Sequence, residues 1–185
     1  MKTKGIIIGI LLAAVLCSCE DFEIDGLFED FGLGFNTAYY EVEFDIPPAP
    51  AGLEISVVTP MQFDLEGELA ANGYENVTVN SIQILDASLE VNEGSNVPNL
   101  NALDHINASV STSVLPQEAI ASVENTAPDQ TVLPMETTDT DLTDYLSSEE
   151  YNLATTGMLK ENLTDTLKMK VLVRYRVSLH VSTLE

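Results

Sequence analysis

The most regular feature of the chain is a strict alternation of apolar and polar residues late in the sequence. From Leu167 to Val181 every second residue is apolar, which is the period of a β-strand that buries one face. The same alternation runs from Tyr40 to Ile46 and predicts a second half-buried strand. This strand should end at the prolines that follow Ile46, because proline cannot donate to a sheet ladder.

The polar sides of these two segments carry opposite charges. The late segment presents four cations on one side, and the early segment presents three acids: Lys168, Lys170, Arg174 and Arg176 against Glu41, Glu43 and Asp45. Opposite charges on adjacent strands stabilise a sheet, whereas like charges destabilise it. We therefore expect 40–46 to pair with part of 167–181, with both apolar sides in the core.

Shorter β-rich segments fill most of the remaining chain. Further strands are predicted at 53–59, 61–64, 77–91, 106–115, 131–135 and 151–159,. Short helical turns are predicted at 66–73, 116–121 and 141–146, and a surface loop at 92–101,. A change of phase near Ser81 and Ile82 predicts a β-bulge. This succession indicates an all-β protein, an antiparallel β-sandwich of Greek-key or jelly-roll type with a few short helical turns.

The first residues have the organisation of a secretory signal. Lys2 and Lys4 precede an uninterrupted apolar and glycine run from Gly5 to Leu16,. The run is too short for a transmembrane helix, which needs about 20 residues. The sequence Leu16-Cys17-Ser18-Cys19 resembles the lipobox of bacterial lipoproteins, in which a small residue precedes a lipidated cysteine.

The lipobox resemblance implies that residues 1–18 are a signal peptide and that Cys19 carries the acyl chains of the mature protein. Cys17 is the competing cysteine, but the bulky Leu16 before it fits a signal peptidase poorly. Two or more acyl chains anchor a protein durably where one is marginal. The implied partner of this end of the chain is therefore the outer membrane.

The residues after Cys19 narrow the predicted location. Glu20-Asp21-Phe22-Glu23 resembles the acidic export signal of Bacteroidota lipoproteins, which implies display on the cell surface. A lipoprotein that faces the periplasm is the alternative. The predicted organisation is a signal peptide at 1–18, an acidic tether at 19–38 and a single β-sandwich domain at 39–185.

The charge distribution excludes negatively charged partners for most of the chain. The chain has 30 acidic residues against seven lysines and arginines, and residues 19–159 contain no lysine or arginine. Nucleic acids and anionic lipid headgroups are bound by clustered cations, so that part of the chain does not suit them. The acidity favours solubility through self-repulsion. It also leaves trypsin-like proteases no cleavage site in that part of the chain.

The sequence offers little chemistry for catalysis. His105 and His180 are its only histidines, and it has no Gly-x-Ser-x-Gly, phosphate-binding loop or Cys-x-x-Cys motif,. We therefore expect a non-catalytic, surface-anchored lipoprotein that binds a protein or glycan partner or supports an assembly, with no cofactor. A carbohydrate-capture module or carbohydrate-active enzyme is the alternative, since paired acids are abundant, although the chain has no tryptophan.

Three acidic residues form a candidate calcium site. Asp139, Asp141 and Glu150 stand at the first, third and twelfth positions of a calcium-loop template,. Asp144 occupies the sixth position, where the template requires glycine for its sharp turn. The preferred interpretation is therefore a helix cap on a solvated acidic loop.

One threonine is a candidate for modification. Asp165-Thr166-Leu167 resembles the O-glycosylation pattern of Bacteroidota proteins, which implies a glycan on Thr166. The alternative is that Thr166 is buried in the last strand.

Overall fold

The computed structural model describes residues 33–75, 77–148 and 150–180. The predicted signal peptide, Cys19 and the acidic residues that follow it lie outside this part of the chain. Within it, ten strands form two antiparallel five-stranded sheets, accompanied by two short helices. The predicted all-β, sandwich-like fold is therefore confirmed.

The elements have the following bounds. The strands are β1 (Gly34–Asn36), β2 (Tyr40–Ile46), β3 (Glu54–Met61), β4 (Thr78–Val91), β5 (Leu103–Ser111), β6 (Glu118–Glu124), β7 (Val132–Pro134), β8 (Glu136–Thr137), β9 (Tyr151–Leu159) and β10 (Leu167–His180). The helices are α1 (Leu65–Ala71) and α2 (Thr143–Leu146).

The first sheet is built around β10. One edge of β10 pairs with β4, and β7 pairs with the far edge of β4. The other edge of β10 pairs with β2 over Leu167–Val173 and with β1 over Arg176–Ser178. Residues 34–36, inside the segment predicted as a tether, thus form a strand of this sheet. We refer to it as the β10 sheet.

The predicted pairing of 40–46 with the last strand is confirmed. Met169 faces Phe44 and Lys170 faces Glu43 in the register of β2 and β10. The apolar residues of both strands are buried, and the Lys170 Nζ lies 3.2 Å from a carboxylate oxygen of Glu41 on the outer side. Alternation and charge together were enough to identify this pair of neighbours.

The second sheet has the order β3, β9, β5, β6, β8, and we refer to it as the β9 sheet. The consecutive strands β7 and β8 belong to different sheets, and the buried Met135 between them marks the crossing. On the opposite side, β2 at the margin of one sheet leads through 47–53 to β3 at the margin of the other. The chain therefore crosses between the sheets through the single residue Met135 at one side of the sandwich and through the longer segment 47–53 at the other.

The core is formed by the inner faces of both sheets. Its fully buried large side chains come from five strands, from α2 and from the loop before β5: Ile82, Leu89, Leu100, Leu103, Ile106, Ile120, Leu142, Leu146, Tyr151, Leu159, Leu167 and Met169. Near the start of β2 the rings of Tyr40, Phe63 and Tyr175 lie 5.3 to 5.6 Å apart, a spacing at which aromatic pairs attract. Burial raises the pKa of Tyr175 well above its usual value.

Irregular positions in the long strand β4 agree with its change of phase. The register with β10 shifts between Ser178 and Leu179, which leaves Asn80 as an extra residue, next to the predicted bulge near Ser81. A second shift leaves Leu85 extra. Bulges of this kind bend a strand and increase its twist, which is how strands this long remain in one sheet.

Two predicted elements are wrong. Residues 116–121, predicted as a short helix, lie largely in β6, where Ile120 is buried and pairing with β5 overrides the local helix preference. Residues 61–64, predicted as a strand, contain the last residue of β3. They lead to Asp64, whose carboxylate accepts a 2.9 Å hydrogen bond from the Gly67 backbone and caps α1.

One strand is shorter than predicted, and several other elements are confirmed. The strand predicted at 106–115 ends at Ser111, because the Thr112 hydroxyl accepts backbone hydrogen bonds from Val114 and Leu115 and turns the chain. The helix predicted at 66–73 is α1, which is followed by Asn72 and by Gly73 at a positive φ of 79°. The predicted loop, the helical turn at 141–146 and the strands at 131–135 and 151–159 are also found.

Candidate functional site

The three candidate calcium ligands lie on an exposed stretch around α2. The Oδ1 atom of Asp141 accepts hydrogen bonds from the backbone of Ile82 at 3.2 Å and from the backbone and hydroxyl of Thr143 at 3.0 and 2.6 Å. Partial burial acts to raise the pKa of this carboxyl, but these hydrogen bonds outweigh it and lower the pKa. Asp141 therefore fastens the start of α2 to β4.

The other two residues of that set make no comparable contacts. The side chains of Asp139 and Glu150 are exposed, and the backbone carbonyl of Asp139 accepts a 3.0 Å hydrogen bond from the Gln83 side chain. Nowhere in the part of the chain that the structure describes do three or more histidine, cysteine, aspartate or glutamate side chains converge as metal ligands would. Calcium binding at this loop, the less favoured interpretation of the sequence, stays a hypothesis.

Thr166 lies immediately before β10 and is half-buried. Its backbone N–H donates to the Asp165 carboxylate at 2.8 Å, in a short turn at the surface. The position of Thr166 does not test its glycosylation, which stays a prediction. Cys19, the predicted lipidation site, is outside the described residues.

The two histidines stand in different sheets. His105, in β5, has its Nδ1 3.1 Å from the carboxylate of Asp104; the histidine is half-buried and the aspartate is exposed. His180 is an exposed residue at the end of β10. Catalytic histidines are usually held by a second group in a cleft, and this pair of positions does not provide that setting.

The outer face of the β10 sheet carries most of the cations. The Arg174 guanidinium forms a salt bridge with the Asp86 carboxylate on β4, in which Nε donates a 2.9 Å hydrogen bond to Oδ2. The Cζ atom of Arg174 also lies 5.0 Å from the ring centre of Tyr39. Lys170 bonds Glu41 on β2 at 3.2 Å. Two of the four cations of β10 are thus paired with an acid of a neighbouring strand.

A shallow apolar groove opens on the side of the sandwich where β2 leads into β3. Its volume is about 120 Å³, and it is lined by Asp45, Ile46, Pro47, Ala49, Leu53, Glu54, Ile55 and Val57. Pockets for small molecules usually measure about 300 to 1,000 Å³. The groove is too small for such a ligand and is comparable to a single large apolar side chain.

The strand beside the groove has one open edge. Within the described residues β3 pairs only with β9, so its other edge has no strand partner over the whole of Glu54–Met61. Val58 is 60% exposed on the outer side of this strand, and Leu53 at the groove is 46% exposed. An open edge of this length is a template for another strand unless it is covered.

The rim of the groove is acidic. Asp45 and Glu54 are both exposed, and in the described part of the chain neither forms an ion pair. We call the groove, these two carboxylates and the open edge of β3 the β3 surface. The sequence did not point to it, because alternation identifies strands but does not say which of them lies at a margin.

No protein-family model matches the chain, and no curated protein matches it. Among the described residues, no helix is both long enough and apolar enough to span a bilayer.

Proposed function

We propose that this chain is a lipoprotein held in the outer membrane through Cys19, displayed at the cell surface, and non-catalytic. The observation that carries the proposal is the sequence Leu16-Cys17-Ser18-Cys19 directly after a basic start and an apolar run. The fold is compatible with this function, because it forms a core without requiring a disulfide, and the proposed mature chain has a single cysteine.

The anchor is tested with two matched substitutions. In bacteria fed a labelled fatty acid, the wild type and Cys17→Ala should be labelled and recovered with the outer membrane, because both retain Cys19. Cys19→Ala should lose the label and either leave the membrane or retain its signal. A labelled, membrane-bound Cys19→Ala, or loss of the label in Cys17→Ala, would refute the assignment of Cys19.

Surface display is a separate part of the proposal. Its support is the acidic sequence Glu20-Asp21-Phe22-Glu23 after the lipidated position. When these acids are changed to alanine, the protein should remain lipidated but become inaccessible to antibodies on intact cells. Equal antibody labelling of the variant and the wild type would show that another part of the chain directs export, and no labelling of either would favour the periplasmic side.

The partner contact that we propose is the β3 surface, and the partner is an extended segment of another protein. An added strand gains main-chain hydrogen bonds from an open edge, while side pockets select its side chains. The groove of about 120 Å³ beside the edge suits one such apolar side chain. Binding of this kind needs no catalytic group, in keeping with a binding or assembly role.

Charge selects the kind of segment that fits. The carboxylates of Asp45 and Glu54 stand at the rim; Lys168 faces Asp45 in the register of β10 and β2, whereas Glu54 faces the uncharged Met158. In a parallel pairing, a second copy of the chain would bring its own Glu54 beside this one, and like charges on adjacent strands destabilise a sheet. A segment with an apolar anchor and flanking lysines or arginines is complementary to this surface.

Synthetic peptides test this contact directly. A peptide of about ten residues that alternates valine and threonine, with a lysine at each end, should bind at least tenfold more tightly than the same peptide with glutamates. Backbone NMR shifts should concentrate on 53–61. Leu53→Lys should abolish binding, whereas Val132→Lys should not, since Val132 is similarly exposed (42%) but lies on β7 at the opposite margin.

Three results would contradict the contact. Equal affinity for the two peptides would remove the charge argument. Shifts on β6 or β7 in place of β3 would put the contact at the other side of the sandwich. Specific binding on a glycan array, with no binding of either peptide, would favour the alternative of a carbohydrate-capture module.

A further inference from the structure

The few lysines and arginines of this chain are placed in an unusual way. After Lys4 the sequence has five of them: Lys160, Lys168, Lys170, Arg174 and Arg176. Four of these lie in β10. Among the described residues, β10 is the one strand of its sheet that is paired along most of both edges, with β2 and β1 on one edge and β4 on the other. The peptide bonds that a trypsin-like protease recognises are therefore confined to the centre of the fold and to one turn.

The backbone of β10 is held throughout this stretch. Lys168 and Lys170 pair with β2, and Arg174 and Arg176 pair with β4. Where β2 and β1 are interrupted, Thr37 bridges the gap, since its backbone N–H donates to the Tyr175 carbonyl at 2.9 Å. A protease binds its substrate as a separate extended segment, so cleavage here requires β10 to leave the sheet.

The remaining site, Lys160, is an exposed residue in the turn after β9, and it is held by two hydrogen bonds. Its backbone N–H donates to the Ala102 carbonyl at 2.8 Å, and its Nζ donates to the Asn125 carbonyl at 2.6 Å. Trypsin must take this ammonium group into its own specificity pocket. Cleavage after Lys160 therefore requires the loss of both contacts.

We propose that the fold withholds every trypsin-type cleavage site of the domain, so that such proteases cut within β10 only after the sheet unfolds and cut after Lys160 only when its turn opens. The loops, where proteolytic nicking usually begins, contain acids and apolar residues but no recognised residue other than Lys160. The usefulness of this property at a cell surface rests on the proposed function. The resistance itself does not, because it is a property of the purified protein.

Two lysine substitutions test whether trypsin cleavage depends on strand pairing of the backbone or only on exposure of the lysine side chain. Glu93→Lys puts a lysine in the exposed loop that follows β4. Asn107→Lys puts an equally exposed lysine in β5, where the backbone pairs with β6 and β9. Circular dichroism melting verifies that each variant folds, and Thr156→Lys in β9 replaces Asn107→Lys if that variant does not.

The measurement is the rate of trypsin cleavage, with products identified by mass spectrometry. The wild type and Asn107→Lys should be cut at least about a thousandfold more slowly than the same chains in urea, as expected when only a rare unfolded or locally opened fraction is cleaved. Glu93→Lys should be cut after position 93 at least about a hundredfold faster than the wild type. A protease specific for glutamate should nick the folded wild type in its loops.

Three results would overturn the proposal: cleavage of folded wild type after Lys160 at the rate of Glu93→Lys, cleavage within β10 at that rate, or cleavage of Asn107→Lys at that rate. On intact cells labelled by antibody, trypsin should leave the wild type as a full-length chain on a denaturing gel and cut Glu93→Lys into two fragments. If purified protein resists trypsin but cells show no labelling before treatment, the resistance stands and surface display fails.

Discussion

Gly157, in the middle of β9, provides a sharp test of how the β9 sheet is packed. The register between β5 and β9 shifts between Leu103 and His105, which makes Asp104 an extra residue. A Cβ atom at position 157 would lie against the His105 carbonyl oxygen and 2.6 Å from Cδ1 of Ile106. Glycine inside a strand often marks such a close backbone approach.

The expected effect of Gly157→Ala follows from two opposed contributions. Replacing glycine where alanine fits without strain stabilises a protein by about 0.4 to 1 kcal/mol, through the unfolded chain. Overpacking against a fixed backbone costs about 1 to 3 kcal/mol, and the His105 carbonyl is fixed because β5 is paired on both edges. We expect a net loss of about 1 to 2 kcal/mol, or about 2 to 8 °C in melting temperature for a domain of this size.

Urea denaturation followed by circular dichroism measures this change. The midpoint should fall while the slope stays constant, which indicates a change in stability and not in the denatured state. Thr156→Ala is the control, because it changes a neighbouring, half-exposed residue of the same strand. If Gly157→Ala is neutral or stabilising, the close approach of β5 to β9 is wrong.

Two further predictions concern polar contacts. Millimolar calcium should shift the melting temperature by less than about 1 °C, because Asp141 is engaged by Ile82 and Thr143 and the side chains of Asp139 and Glu150 are exposed,; a rise of many degrees that disappears in Asp139→Ala would contradict this. Tyr40→Phe should cost about 0.5 to 1.5 kcal/mol in urea denaturation, because the Tyr40 hydroxyl donates to the Glu68 carboxylate at 2.6 Å,, and an unchanged midpoint would show that this hydrogen bond adds no stability.

The parts of the fold that could be predicted from sequence are those in which one local pattern decides the outcome. The alternation at 40–46 and 167–180 defines both the strands and their buried faces, and opposite charges on Lys170 and Glu41 indicate that they are neighbours. Asn72 and Gly73 end α1 because they can adopt the conformations required after a helix,.

The errors arose where distant contacts override local preference. Residues 116–121 contain good helix formers after a proline, but Ala119 and Ala121 pair with β5, and Ile120, the extra residue between them, fills the core. The β3 surface could not be predicted, because it exists only where the order of strands leaves β3 at a margin. The close approach at Gly157 did leave a signal in the sequence, namely a glycine inside a β-rich segment.

The most direct test of the central proposal is the mass of the N-terminal peptide of the mature protein, purified from membranes. A protease that cuts beside acidic residues is required, because trypsin has no site between residues 19 and 159. We predict a peptide that begins at Cys19 and carries the mass of attached acyl chains. An unmodified Cys19, or a peptide that still contains Cys17, would contradict the assignment of this chain as a lipoprotein anchored at Cys19.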